Sequence, residues 1–143
     1  MTDKVFVDTN IWVYAYLDTD NTQSHNKHLK AVECLQRLYR DTEMIISTQV
    51  LSEYYSALLK NKIDDLDIQE SSRQLTQAIE VVALSKDTVT NSYLIRNRYR
   101  YSYWDSLIIA SSLEHGCTKL ISEDMQNHQL IEDRLSISNP FVD

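Results

Sequence analysis

Glycine occurs once in this 143-residue chain, at Gly116, and proline once, at Pro140. With a single glycine, neither a G-x-G-x-x-G turn nor a Walker loop can be written, which excludes the nucleotide enzymes built on such phosphate cradles. Only two cysteines are present, Cys34 and Cys117. They make neither a disulfide framework nor a C-x-x-C metal pair, and they read as small buried residues in a reducing, cytoplasmic setting. No apolar run approaches the roughly 20 residues of a membrane span. The N-terminus lacks the charged-then-apolar pattern of a secretion signal, so no membrane partner is expected. The four histidines, His25, His28, His115 and His128, show no zinc spacing. There is no G-x-S-x-G elbow and neither thiol has an evident base, so no side-chain nucleophile stands out. Fourteen Lys and Arg face 21 Asp and Glu, a net charge of −7. That balance argues against a simple basic clamp for nucleic acid. It leaves room for an acidic site whose charge is neutralised by cations.

What is present is an alternation of short apolar runs and helical patterns. Lys4 to Val7 reads as a buried strand ending on Asp8-Thr9-Asn10, with a helix expected from Ile11 to Leu17. A polar loop, Asp18 to Gln23, precedes a helix over Ser24 to Arg40 with an apolar stripe at Ala31, Val32, Leu35, Leu38 and Tyr39. Met44 to Ser47 is a second strand, and Thr48 is a candidate cap for the helix carrying Leu51, Tyr54, Tyr55 and Leu58. After a charged connection from Lys60 to Asp67, a helix is expected over Ile68 to Ile79, a strand over Glu80 to Leu84 and a helix over Asp87 to Arg100. Asp105 opens an apolar helix, Ser106 to Glu114, that stops at Gly116. Lys119 to Ser122 is a fourth strand, and Ser136 to Ser138 an edge strand closed by Pro140. This pattern predicts one α/β domain over residues 1–143. Its architecture is a three-layer sandwich, with a central, mainly parallel sheet of four or five short strands flanked by helices. Strands buried on both faces appear as brief apolar runs without alternation, as these do.

Four carboxylates fall at comparable points of that scheme. Asp8 ends the first strand, Asp124 follows the fourth, Glu53 lies early in the helix after the second, and Asp105 opens the helix leading to the fourth. In a parallel sheet these points share one edge, where ligands of open α/β folds bind. Each acid alone has an ordinary reading as a surface residue or helix cap, and Glu123 competes with Asp124. Two carboxylates about 6 Å apart repel by roughly 3 kcal/mol at an effective dielectric near 20. A convergent cluster should therefore take up protons or a cation, and all-oxygen ligands favour Mg²⁺ or Mn²⁺ over zinc. A carboxylate-held metal site suits phosphodiester hydrolysis without a side-chain nucleophile.

Val5-Phe6-Val7-Asp8-Thr9-Asn10, Ser52-Glu53, Tyr103-Trp104-Asp105-Ser106-Leu107-Ile108-Ile109-Ala110 and Leu120-Ile121-Ser122-Glu123-Asp124, in this order, resemble the motifs of a PIN domain. In length and motif order the chain resembles a VapC-type toxin ribonuclease of a prokaryotic toxin–antitoxin pair. The resemblance implies an Mg²⁺-dependent endoribonuclease, with Mn²⁺ as an alternative metal. By position, Asp8 and Asp105 match the main metal ligands and Glu53 and Asp124 the remaining acids. Asn10 and Ser122 match the polar support, and Thr9 together with Asn10 is expected to steer Asp8. It also implies an RNA substrate, a cognate antitoxin protein and a homodimer.

Ahead of Asp105 runs a basic, aromatic stretch, Arg96 to Trp104. Arg96, Arg98 and Arg100 are candidate phosphate contacts, and the aromatics could stack on unpaired bases. Tyr103 and Trp104 are expected to pack into the core at the start of the apolar helix. Two rival functions remain. One is a catalytically silent binding module that keeps the fold to hold a partner, with Trp12, Tyr54 and Tyr55 as interface candidates. The other is a phosphatase-like α/β phosphotransfer domain, against which Asn10 stands where the second acid of a D-x-D pair belongs.

Overall fold

The computed structural model describes residues 2–142. The elements run β1 (Lys4–Val7), α1 (Thr9–Tyr16), α2 (Thr22–Asp41), β2 (Glu43–Ser47), α3 (Thr48–Lys60) and α4 (Asp65–Ala78). They continue with β3 (Glu80–Val82), α5 (Lys86–Tyr99), α6 (Tyr103–Glu114), β4 (Lys119–Ile121), β5 (Leu130–Ile131) and β6 (Leu135–Ser138). The strands form one sheet in the order β3-β2-β1-β4-β6-β5. Every neighbouring pair is parallel except β5 and β6.

β1 lies between β2 and β4, and its Val5, Phe6 and Val7 are 2%, 0% and 0% exposed. Burial on both faces is why this run is uninterruptedly apolar. The chain leaves β1 toward β2 and β3, then returns past it to β4. α1 packs on α2 and α3, and α3 packs on α4, whereas α5 packs on α6. Right-handed crossovers taken in opposite directions place α1–α4 on one face and α5–α6 on the other. The sheet is thus the middle of three layers. α6 is buried continuously from Ser106 to Ser112, as a helix pressed between a sheet and another helix must be.

Several element boundaries differ from the sequence expectation, each for a local reason. α1 starts at Thr9 because Asp8 itself caps it, accepting from the Thr9 amide at 2.7 Å. α2 starts at Thr22 because Asn21 caps it, accepting from Ser24 N at 3.1 Å. Its core stripe is Ala31, Cys34 and Leu38, while Tyr39 is 65% exposed. Ser47, not Thr48, caps α3 by accepting from the Val50 amide. α4 begins within the charged connection, capped by Asp64, and Asp65 and Asp67 in its first turn complement the helix dipole. β3 is shorter than expected: its pairing ends at Val82, three residues before Ser85 opens the Ser85–Thr88 capping box of α5. Tyr103 and Trp104 belong to α6, whose cap is Ser102. Gly116 has φ +73, the left-handed conformation that ends the helix.

Among the described residues the sheet has six strands. β5 is only two residues long and carries no readable periodicity. It takes the edge, so Ser136–Ser138 lie in an inner strand paired on both sides. Both cysteines are free and buried.

Candidate active site

The carboxyl ends of β1 and β4 form the topological switch point of the sheet, because the chain departs from β1 in one direction and re-enters beside it from the other. The four predicted acids meet there. A recess of about 310 Å³ is lined by Asp8, Asp105 and Asp124, with Thr9 and Asn10 from α1 and Glu53, Ser56, Ala57 and Lys60 from α3. α3 and α6 belong to opposite layers, so Glu53 and Asp105 reach the recess over the sheet edge from its two faces.

Each acid has its own support. Asp8 accepts from the Thr9 amide at 2.7 Å through Oδ1 and from the Ser122 hydroxyl at 2.9 Å through Oδ2. Glu53 accepts from the Thr9 hydroxyl at 2.7 Å and from Gln49 Nε2 at 3.4 Å. Asp124 accepts from the Asn10 side-chain amide at 2.9 Å. The two echoing segments therefore exchange hydrogen bonds across 114 residues: Ser122 holds Asp8, and Asn10 holds Asp124. Glu123 turns the other way and pairs with Lys27 at 2.9 Å. That Lys27 also stands over the rings of Tyr14 and Phe141. The structure thus separates Asp124, which lines the recess, from its competitor.

The electrostatics follow from this crowding. Burial pushes the Asp8 carboxyl up to about 7, against the lowering effect of the Thr9 amide and the Ser122 hydroxyl. The charges of Asp105 and Glu53 raise it further. Asp105 is also raised, first by burial and then by Asp124, with Ser102 opposing and Glu53 adding to the shift. Among the described residues no three such side chains already stand as an ion-gripping set. The carboxylate oxygens of Asp8, Glu53 and Asp124 are turned to protein donors, with which a cation would compete. The donor set itself is all oxygen, charged and mutually repelling, and it suits a hard divalent cation. Asp8, Glu53, Asp105 and Asp124 are the residues that could hold one.

The basic stretch lies differently from the expectation. Arg98 and Tyr99 bind Glu132, Arg96 donates to the Tyr101 carbonyl, and Tyr101 bonds Gln129 and the Gln126 amide. Arg100 is exposed and ends α5 in the left-handed region. None of the three arginines lines the acid recess. Trp104 is 60% exposed, not packed into the core, because it precedes the buried part of α6. Tyr103 is half-buried, as is Tyr55, whereas Trp12 and Tyr54 are buried. Sequence reasoning missed Lys60 and Gln49. Both were within reach of it: Gln49, Glu53, Ser56, Ala57 and Lys60 are spaced i−4, i, i+3, i+4 and i+7 about Glu53, one face of α3.

Fold and recess together define an α/β domain with an acidic site at its switch point. The family model for the PIN domain matches residues 5–130, and the chain belongs to the PIN domain family. No curated protein matches it by sequence. Among solved structures it is similar to a chain of a toxin–antitoxin complex from Klebsiella pneumoniae. That match has 18% identity and a TM-score of 0.69, over 95% of this chain and 97% of that one. It is also similar to a chain of VapBC2 from Rickettsia felis bound to a promoter DNA fragment, at 19% identity and TM-score 0.67, over 95% and 98%. A third is VapC20 of Mycobacterium tuberculosis, a toxin that cleaves the sarcin–ricin loop, at 21% identity and TM-score 0.62, over 81% and 86%. At these identities the likeness is one of fold.

Proposed function

We propose that this chain is a metal-dependent endoribonuclease and the toxin of a toxin–antitoxin pair. One observation carries the reading: in a PIN-family chain, four acids from four separate segments share one recess, and three are each fixed by a hydroxyl or amide. Asp8 and Asp105, with Glu53 and Asp124, would hold Mg²⁺ or Mn²⁺. When bound, the cation supplies positive charge opposite the scissile phosphodiester and activates water for attack on phosphorus.

The chain's own residues do the rest. Ser122 and the Thr9 amide fix both oxygens of Asp8. The Thr9 hydroxyl turns Glu53 inward, and Asn10 holds Asp124 at the rim. Lys60 brings a positive charge to an otherwise acidic recess, where it can meet a phosphate of the RNA backbone.

A nuclease of this kind is toxic unless covered. The similar chains from Klebsiella and Rickettsia belong to toxin–antitoxin assemblies, which supports a small antitoxin protein as partner here. A homodimer in the cytoplasm is the form we expect. No helix among the described residues is long and apolar enough to cross a membrane.

The test uses purified protein and RNA. With Mg²⁺ the chain should cut, and Asp8→Asn or Asp105→Asn should not. Cleavage that persists undiminished in EDTA would sink the metal reading. Failure of the wild type on total RNA with either metal would sink the nuclease itself.

A further inference from the structure

A second cleft of about 470 Å³ adjoins the acid recess and shares Glu53 and Ser56 with it. Its distinctive walls are Gln49, Leu84 and Trp104. Gln49 is only 7% exposed. Its Nε2 donates to the Trp104 carbonyl at 3.1 Å and to Glu53 Oε2 at 3.4 Å. Both partners are acceptors, so the side-chain amide cannot be reversed. Its Oε1 is left buried with no donor. A buried acceptor without a partner is rare and unfavourable, and it marks a place where a ligand's N–H would be welcome.

Trp104 supplies the second half. It is 60% exposed, yet its ring is braced edge-on by Tyr103, with centroids 5.0 Å apart and planes at 71°. Tyr103 in turn leans on Tyr93 at 6.4 Å. A braced, solvent-facing indole beside an open cleft is a stacking platform, and stacking accepts any flat π-system.

Resting on the nuclease reading above, we infer that this cleft is a subsite for one unpaired nucleobase of the RNA strand, which stacks on Trp104 and, with a side-chain shift that uncovers the atom, donates an amino hydrogen to Gln49 Oε1. The shared wall of Glu53 and Ser56 makes the occupant a base whose nucleotide adjoins the phosphodiester in the acid recess. Adenine, cytosine and guanine carry an exocyclic amino group. Uracil has only a ring N–H flanked by two carbonyls, which would be brought toward the Glu53 carboxylate. The subsite therefore prefers an amino-bearing base to uracil.

Two measurements test this on the full chain. In the first, wild type, Trp104→Ala, Trp104→Phe and Gln49→Met cut an RNA pool with a randomised single-stranded window, with Mg²⁺. Wild type should disfavour uracil at one position beside the cut. Trp104→Ala should lower kcat/KM about 5- to 150-fold, the range of one lost base–aromatic stack. Trp104→Phe should keep most of the efficiency, and Gln49→Met should flatten the base preference. In the second, the neutral nucleosides adenosine, cytidine, guanosine and uridine are titrated in EDTA while tryptophan emission is read. Trp12 is buried, so quenching should come from Trp104, weakest with uridine, and vanish in Trp104→Phe.

An unchanged cut-site profile in Trp104→Ala and Gln49→Met, with no quenching by any nucleoside, overturns the subsite and leaves the nuclease reading intact. Quenching by nucleosides alongside a wild type that cuts no RNA overturns the nuclease reading and the placement of the base with it. If Trp104→Ala converts a dimer to a monomer and no nucleoside quenches, the cleft is a contact between two copies and the inference fails.

Discussion

Thr9 donates its hydroxyl to Glu53 at 2.7 Å, tying the first residue of α1 to the second turn of α3. The same residue's backbone amide holds Asp8. One position thus orients two acids. Thr9→Val keeps the shape and the amide but removes the hydroxyl. We expect it to cut RNA at least ten-fold more slowly while losing only about 1 kcal/mol of stability, the usual worth of one hydrogen bond. Thr9→Ser should restore most of the rate. Rate and urea midpoint, measured on the same preparations, decide it: equal cleavage by Thr9→Val and wild type would remove Glu53 orientation from the mechanism.

Glu123 and Asp124 should separate cleanly. Asp124→Asn should depress cleavage, because Asp124 lines the recess. Glu123→Gln should leave cleavage intact and lower the thermal midpoint slightly, because Glu123 pairs with Lys27 away from the recess. The converse result would reassign the fourth acid.

Without divalent metal, Asp8 makes stability depend on pH. Its ordinary carboxyl value is 3.8, and in the fold it stands at about 7. Between those values the folded chain holds a proton that the unfolded chain has released, so stability falls as pH rises from about 4 to 7. In EDTA the thermal midpoint should carry this downward slope, and Asp8→Asn should make it shallower, leaving the share of Asp105, and raise the midpoint near neutrality. A midpoint at pH 7 that is no higher in Asp8→Asn would contradict the buried, repelled carboxylate.

Added Mg²⁺ or Mn²⁺ should raise the midpoint of the wild type, since a ligand that binds only the folded chain stabilises it by about 2.7 kcal/mol at 100 times its Kd. In a domain of this size that corresponds to several degrees. Asp8→Asn/Asp105→Asn should show no such rise. A wild type indifferent to millimolar metal would count against a cation at these acids.

Among the described residues Lys60 is the cation that lines the recess, and in the proposed nuclease it would receive the strand. Lys60→Ala should raise KM for RNA several-fold with kcat nearly unchanged, and it should weaken the salt dependence of KM. Lys60→Gln should behave alike, whereas Lys60→Arg should resemble wild type. A drop in kcat at constant KM would place Lys60 in the chemical step instead.

The fold class was legible because parallel strands must be covered on both faces, and Val5-Phe6-Val7 and Met44-Ile45-Ile46 show that in their unbroken apolarity. The candidate acids were legible through their positions at strand ends and helix starts. Less visible were the features that tertiary contact decides. Asp8 reads as a strand end but is equally the cap of α1. Leu130–Ile131 is too short for any period, yet it takes the edge and changes the strand count. Trp104 stands at the start of the apolar helix and still faces solvent, because burial on α6 begins only at Ser106. Arg96 and Arg98 look free in the sequence and are engaged by Tyr101 and Glu132. The face of α3 that carries Gln49, Glu53 and Lys60 had helical spacing, but polar residues at that spacing look like solvent until opposing acids are known.

β1 is completed late. Asp8 waits 114 residues for the hydroxyl of Ser122, and Asn10 waits as long for Asp124. At synthesis rates of about 5–20 residues per second, that separation is roughly 6–23 s of translation. During that interval the nascent chain has β1 but no β4 beside it, and the acid recess lacks one wall. The acid recess therefore cannot be complete until β4 and Asp124 have been made, which makes it one of the last features of the chain to assemble during synthesis.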